Sequence, residues 1–378
     1  MKALSENAAR FIREHYDEYV DLTLTLAQIP APSNHEEKRA EFVKKTLESY
    51  GCKGVVADEA LNVYYPYRCE GKKKIHIISG HSDVVFEDTE PLPLKREGSV
   101  VYCPGIGDDT ANATLVMMLA KYIAETRPET EDGILLSVVS GEEGLGNLKG
   151  VRKIMETYGD RTESFVTFDA AFGSLASDCV GSTRYEVTVR EDGGHSYGKF
   201  GNPNAIIELA ELITKLDQVK VPKKEGTKTT YNVGMISGGI SVNTIPPEAK
   251  MLYEYRSDDL DSLQVMKAYF DRCIAEAKEK YKEVEVKVVG ERPCSAVDPE
   301  KQKKLIDDLH AIHLLYDNNR AVERHSSMDF NIPMSMGIPS GCVGTHICAG
   351  AHTRGEWLDL AGAERALKVA FSVLELYL

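Results

Sequence analysis

The chain has one tryptophan in 378 residues and no apolar run of the roughly 18 residues that a membrane span needs. Its N-terminus, MKALSENAARFIREHYDEYV, mixes Glu, Arg and Asp through its apolar positions and lacks the apolar core of a signal peptide. None of the eight cysteines forms a Cys-x-x-Cys pair. A chain of this length needs no disulfide staples, so reduced thiols in a cytoplasmic protein are expected. Positive charge is scarce: 45 Lys and Arg face 59 Asp and Glu, a formal net charge of −14. Phosphate backbones and anionic membranes repel such a chain, so neither nucleic acid nor membrane is an expected partner.

Several catalytic motifs are also missing. HEEKR begins like a zinc-protease helix but ends on Arg39 instead of a second histidine. GIGDDT lacks the third glycine of a dinucleotide fingerprint. GHSDV and GGISVN lack the second glycine of a nucleophile elbow, which argues against a serine hydrolase.

What remains is an ordinary globular composition, 42% apolar and 28% charged, in a chain longer than one core usually serves. Helical spacing over 5–27 stops at PAPSN, where Ser33 or Asn34 can cap a helix over about 35–50. Strand-like runs then alternate with helical ones: KIHIISG, a helix over 112–125, GILLSVVSG, a helix near 146–158, and SFVTFD. The run Ile134–Val139 is apolar on both faces, as in a mainly parallel sheet covered by helices on both sides. Near residue 182 the texture changes to period-two alternation, and a β-α-β-β-α-β order follows to about 295. The expected architecture is an α/β domain from 1–181 and 296–378, with an α+β domain carrying an antiparallel sheet inserted at 182–295. Helices are expected over 299–315 and 361–378.

Ligands of open α/β sheets collect at the carboxyl ends of strands. Five places put His or carboxylate there: His81 and Asp83, Asp108 and Asp109, Glu142 and Glu143, Asp169, and His352. Imidazole and carboxylate are zinc ligands, and this set suits two closely spaced divalent ions. Such a pair activates water and polarises a carbonyl. A further carboxylate must then carry the water's proton to the leaving nitrogen, and Glu142 and Glu143 can divide base and ligand between them.

SGHSDVV, GIGDDTANA, SGEEGLGNLKG, FDAAFG and GAHTRGEW, in this order, resemble the co-catalytic metallopeptidases of the M20 family, which include peptidase T, carboxypeptidase G2-like enzymes and N-acyl amino-acid deacylases such as acetylornithine deacetylase. The resemblance covers nearly the whole chain. It implies a hydrolase-like catalytic domain with an inserted lid or dimerisation domain. It places His81 and Asp169 on one metal, Glu143 and His352 on the other, and Asp108 between them, with Asp83 orienting His81 and Glu142 as general base. It also implies a cis peptide after Asp108. His352 precedes Glu356 by four positions, the spacing of the family's last histidine, and His346 does not. Thr110 stands where the family usually has a lysine. GGHSYGKFGNPNAI and GGISVNTIPPEAKMLYEYR resemble the lid segments. That implies His195 as oxyanion donor, from this chain or a partner subunit, and Asn243 and Arg256 as holders of a substrate carboxylate.

The activity implied is two-metal hydrolysis of an amide in short peptides, with zinc, cobalt or manganese as the ions. The alternatives are deacylation of N-acyl amino acids and a non-catalytic metal- or peptide-binding relative. A homodimer through the lid is implied as well.

Overall fold

The computed structural model describes residues 4–378, which divide into two compact units, 4–179 with 296–378 and 180–295. In the larger unit the apolar runs form the centre of an eight-stranded sheet. Gly133–Val139, Ile75–His81, Thr162–Thr167 and Ser340–Val343 lie side by side and parallel. All seven residues of Gly133–Val139 are buried, as a strand covered on both faces requires. The edges depart from the parallel rule: Val63–Tyr67 and Ser174–Cys179 pair antiparallel to their inner neighbours.

The helix Ala111–Thr126 is apolar nearly all round, which buries it against the sheet instead of on the surface. The expected N-terminal helix is two, Glu6–Glu14 and Tyr16–Gln28, broken at His15. The next helix, Glu37–Ser49, begins after Glu36 and has no side-chain cap. Ser33 and Asn34 do not cap it, because the helix starts after Glu36 and their hydrogen bonds go elsewhere. Ser33 Oγ donates to Asp83 Oδ2 at 2.7 Å and Asn34 N donates to Glu36 Oε1 at 2.9 Å. The helix expected near 146–158 is a short 3-10 turn followed by Lys149–Tyr158. The two C-terminal helices run Pro299–His313 and Ala363–Leu374.

A small four-stranded antiparallel sheet was not anticipated. It joins Lys95–Glu97 and Val100–Tyr102 to Cys348–Ala349 and Trp357–Asp359. It sets the segment 105–108 beside the segment 350–356, although about 250 residues separate them in sequence.

The smaller unit has strands in the order Thr229–Gly238, Glu248–Ser257, Gly181–Arg190, Glu283–Arg292, all antiparallel. Glu248–Ser257 alternates half-buried and buried residues along its length, the mark of one wet face. Ala205–Leu216 and Leu260–Lys280 bring Leu209, Leu212, Met266 and Phe270 into a core with Val187, Met251 and Tyr253. Among the described residues no helix is long and apolar enough to cross a membrane.

Candidate metal centre

His81 is the last residue of a fully buried strand end and is 1% exposed. Its Nδ1 donates to the backbone carbonyl of Asp83 at 3.0 Å. That leaves Nε2 facing the acids, 3.1 Å from Asp108 Oδ1 and 4.0 Å from Asp169 Oδ1. The Asp83 carboxylate stands farther from the ring, at 3.5 Å, because its oxygens are engaged elsewhere. They accept the backbone N–H groups of Glu142 at 3.0 Å and Glu143 at 2.9 Å, besides the Ser33 hydroxyl. Asp83 therefore fixes the Glu142–Glu143 turn as well as touching His81, a role the sequence reading did not foresee.

His352 has a left-handed backbone (φ 64°) on an exposed loop. Its Nε2 lies 2.7 Å from Glu143 Oε1 and 3.2 Å from Asp108 Oδ2. Asp108 thus has one oxygen toward each histidine. Donor atoms of His81, Asp108 and Glu143 fall within 4.8 Å of one another, and so do those of His81, Glu142 and Asp169. The peptide between Asp108 and Asp109 is cis.

The charge balance of this cluster calls for cations. Burial, then the charges of Asp108 and Glu142, push the Glu143 carboxyl up to about 7. Burial, with Asp108 next, raises Asp169 well above the carboxylate range. Asp108 moves the other way: against its burial, hydrogen bonds from His352 and His81 hold it below that range. The hydrogen bond to Asp108 is also the main cause lifting His352 to about 9. Two imidazoles cannot neutralise this many buried acids, and the donors are the nitrogen and oxygen types that divalent zinc, cobalt or manganese accepts. The residues present therefore fit a pair of such ions.

Supporting residues escaped the sequence reading. Glu356, 1% exposed, accepts three backbone N–H groups: Gly105 at 2.8 Å, Gly107 at 2.8 Å and Asp108 at 2.9 Å. In the sequence it served only as a spacing mark for His352. Asp109 accepts the His81 backbone N–H at 2.8 Å. The approach is close enough that a Cβ on Gly80 would stand 3.0 Å from Asp109 Oδ2. Behind Asp109 runs a buried chain. Tyr19 donates to His346 Nε2, His346 Nδ1 to Thr345 Oγ1, Thr345 to Asn112 Oδ1, and Asn112 Nδ2 to Asp109 Oδ1. With these directions each member of the chain has a partner and His346 is neutral. His346 is thereby separated from the carboxylate cluster that His352 joins.

The fully buried Arg39 donates to the Ile29 carbonyl at 2.7 Å, the Ser82 carbonyl at 2.8 Å and Thr110 Oγ1 at 3.0 Å. It pins the end of the Asp108 loop, where Thr110 leads into the helix Ala111–Thr126.

In the smaller unit, His195 is exposed and its Nδ1 accepts the N–H groups of Tyr197 and Gly198, both at 3.3 Å. Its Nε2 is then the protonated, donating nitrogen. Asn243 is exposed, with Oδ1 accepting from Ser241 at 2.9 Å. Arg256 is not a free fork: its Nε and Nη2 clasp Glu254, each at 3.0 Å.

The larger unit is an α/β fold with a paired imidazole–carboxylate cluster at the ends of its parallel strands. The M20 peptidase dimerisation domain matches residues 180–282. A succinyl-diaminopimelate desuccinylase of Corynebacterium glutamicum is 24% identical over 62% of this chain, and the match spans 65% of that relative's length. A tripeptidase of Staphylococcus aureus superposes with a TM-score of 0.74 at 18% identity, covering 95% of this chain and 97% of that one. A Bacillus subtilis protein described as a dinuclear metal-binding M20 peptidase gives 0.63 at 16% identity, covering 96% and 99%. Residues 180–282 match the M20 peptidase dimerisation domain, and the chain as a whole shares the fold of solved M20 proteins.

Proposed function

We propose that the protein is a metal-dependent amide hydrolase acting on short peptides. The observation that carries this reading is Asp108, with one oxygen 3.1 Å from His81 and the other 3.2 Å from His352. His81 and Asp169 would hold one divalent ion, Glu143 and His352 the other, and Asp108 would be shared, with zinc the first choice and cobalt or manganese as substitutes. Two bound ions would polarise the scissile carbonyl and acidify water.

The chain's own residues do the rest. Glu142, held at its N–H by Asp83 and 5% exposed, takes the proton from the attacking water and delivers it to the leaving nitrogen. His195, with Nε2 as donor, stabilises the oxyanion. Asn243 and Arg256 bind a substrate carboxylate once that carboxylate replaces Glu254 on the guanidinium fork.

A deacylase of N-acyl amino acids is the second reading, favoured by the desuccinylase relative. A homodimer forms through the smaller unit, whose edge strand Thr229–Gly238 exposes Met235 and Ile236. Eight free thiols suit a reducing cytoplasm.

The test is Glu142→Gln. Metal content stays at two ions per chain while turnover falls by about 10²-fold or more. Unchanged turnover removes Glu142 from the base role. A screen of dipeptides and tripeptides against N-acetyl and N-succinyl amino acids separates the two readings. Turnover of the acylated set alone overturns the peptidase.

A further inference from the structure

Glu36 is a carboxylate with 0% exposure, just ahead of the helix Glu37–Ser49. A buried charge is tolerated only with a partner charge and further hydrogen bonds. Glu36 has both. Its Oε2 lies 2.8 Å from Lys149 Nζ, and its Oε1 accepts Gly141 N at 3.0 Å and Asn34 N at 2.9 Å. Lys149 opens the helix Lys149–Tyr158. Gly141 lies between the strand Gly133–Val139 and Glu142. One carboxylate therefore ties two helix starts to the residue that precedes the proposed base.

Gly141 is held from several directions. Its backbone is left-handed (φ 64°), and a Cβ there would stand 2.6 Å from Lys149 Cγ, so the lysine stem lies directly against it. Its carbonyl accepts Leu148 N at 2.8 Å, and the Ser140 carbonyl accepts Gly150 N at 3.1 Å. A Cβ on Gly146 would come within 2.5 Å of the Gly141 Cα. A staple between two helices would need only the ion pair. Here the other Glu36 oxygen goes to the peptide that leads into Glu142. Asp83 takes the next two N–H groups, those of Glu142 and Glu143. Three successive N–H groups are thus fixed by two fully buried carboxylates.

We infer that Glu36 and Lys149 are positioning residues for the Glu142–Glu143 turn: Glu36 sets the direction in which the chain leaves the strand, and Lys149 seats Glu36 while its stem supports Gly141. Neither belongs to the imidazole–carboxylate cluster, and both act through the turn. The inference rests on the amide-hydrolase reading and extends it to residues outside the metal centre.

The experiment uses the full-length, zinc-loaded protein and whichever amide of the peptide and N-acyl panel the wild type turns over. Glu36→Ala, Glu36→Gln, Lys149→Ala and Lys149→Met are compared with it in kcat, KM, zinc affinity by chelator competition, and urea stability. A small displacement of a reacting group costs up to about 10²-fold in rate. Glu36→Ala is expected to lose kcat on that scale with KM little changed, and to bind zinc about 10–100-fold more weakly through the displaced Glu143. Glu36→Gln keeps an oxygen for Gly141 N and should recover most of both losses. Lys149→Met keeps the stem and Lys149→Ala removes it, so Lys149→Ala should be the slower of the two. If Glu36→Ala does not fold, the two Lys149 variants decide, because that side chain is partly exposed. Reduced stability with wild-type kcat per folded chain and wild-type zinc affinity overturns the inference and makes the pair a helix staple. If the wild type cleaves no amide, the hydrolase reading falls and zinc affinity alone decides. Weaker binding by Lys149→Ala then keeps the positioning role, and unchanged binding overturns it.

Discussion

Glu356 accepts the backbone N–H of Asp108 at 2.9 Å, so the carboxylate shared by the two histidines is held in place from behind by another carboxylate. Gly105 and Gly107 donate to the same side chain. Glu356→Ala leaves three buried N–H groups without an acceptor, and unfolding stability should drop by about 3 kcal/mol or more. Glu356→Gln keeps one acceptor oxygen and should lose less. Urea denaturation of the three proteins, with metal content alongside, checks the order; equal stability of Glu356→Ala and wild type contradicts it.

Asn112 links Asp109, and through it the His81 backbone, to Thr345 and His346. Groups that orient ligands without touching metal are worth about 10–100-fold in affinity. Asn112→Ala should weaken metal binding within that range while still binding two ions. Competition with a calibrated chelator measures it, and an unchanged affinity would show the chain to be packing only. Gly80→Ala should act at the same place, because its methyl group would crowd Asp109 Oδ2.

His346 gives a pH dependence of stability. Burial, with Arg365 next, lowers its pKa from 6.5 to about 3. Between those values the unfolded chain takes up a proton that the folded chain refuses, so stability is lost as pH falls below 6.5 and is fully present above it. The slope is about 1.4 kcal/mol per pH unit. In His346→Gln this contribution is absent, so the stability gap between the proteins should shift in the variant's favour by that slope from pH 6 to pH 4. A gap independent of pH contradicts a neutral buried His346.

The edge strand of the smaller unit predicts an assembly. Ile236 is exposed on Thr229–Gly238 and Val242 just beyond it. Lysine on an edge blocks strand pairing and apolar contact. Ile236→Lys with Val242→Lys should convert a dimer to a monomer in sedimentation velocity. A wild-type monomer removes the dimer.

His81, Glu142, Glu143 and Asp169 were legible in the sequence because each follows a strand-like run, whereas Asp108 was read before a helix and His352 from its motif and its spacing to Glu356. His81, Glu142 and Asp169 come from the ends of neighbouring parallel strands, so the sheet itself gathers them. Glu356, Asn112, Thr345 and Tyr19 were not legible. Their long-range partners lie 92 to 327 residues away, and no local periodicity marks a residue whose role is a long-range hydrogen bond. The Ser33 cap failed for the same reason: a tertiary partner, Asp83, takes its hydroxyl away from the helix end. Arg256 was read from its motif as a holder of a substrate carboxylate; that Glu254 stands beside it follows from the even-numbered residues of its strand sharing one face.

The central claim is that Asp108 is shared by two ions. Anomalous diffraction from crystals of the protein loaded with zinc, recorded at the zinc edge, tests it most directly. The account predicts two peaks flanking the Asp108 carboxylate, one against His81 and Asp169, the other against Glu143 and His352. A single peak, or peaks away from Asp108, would contradict it.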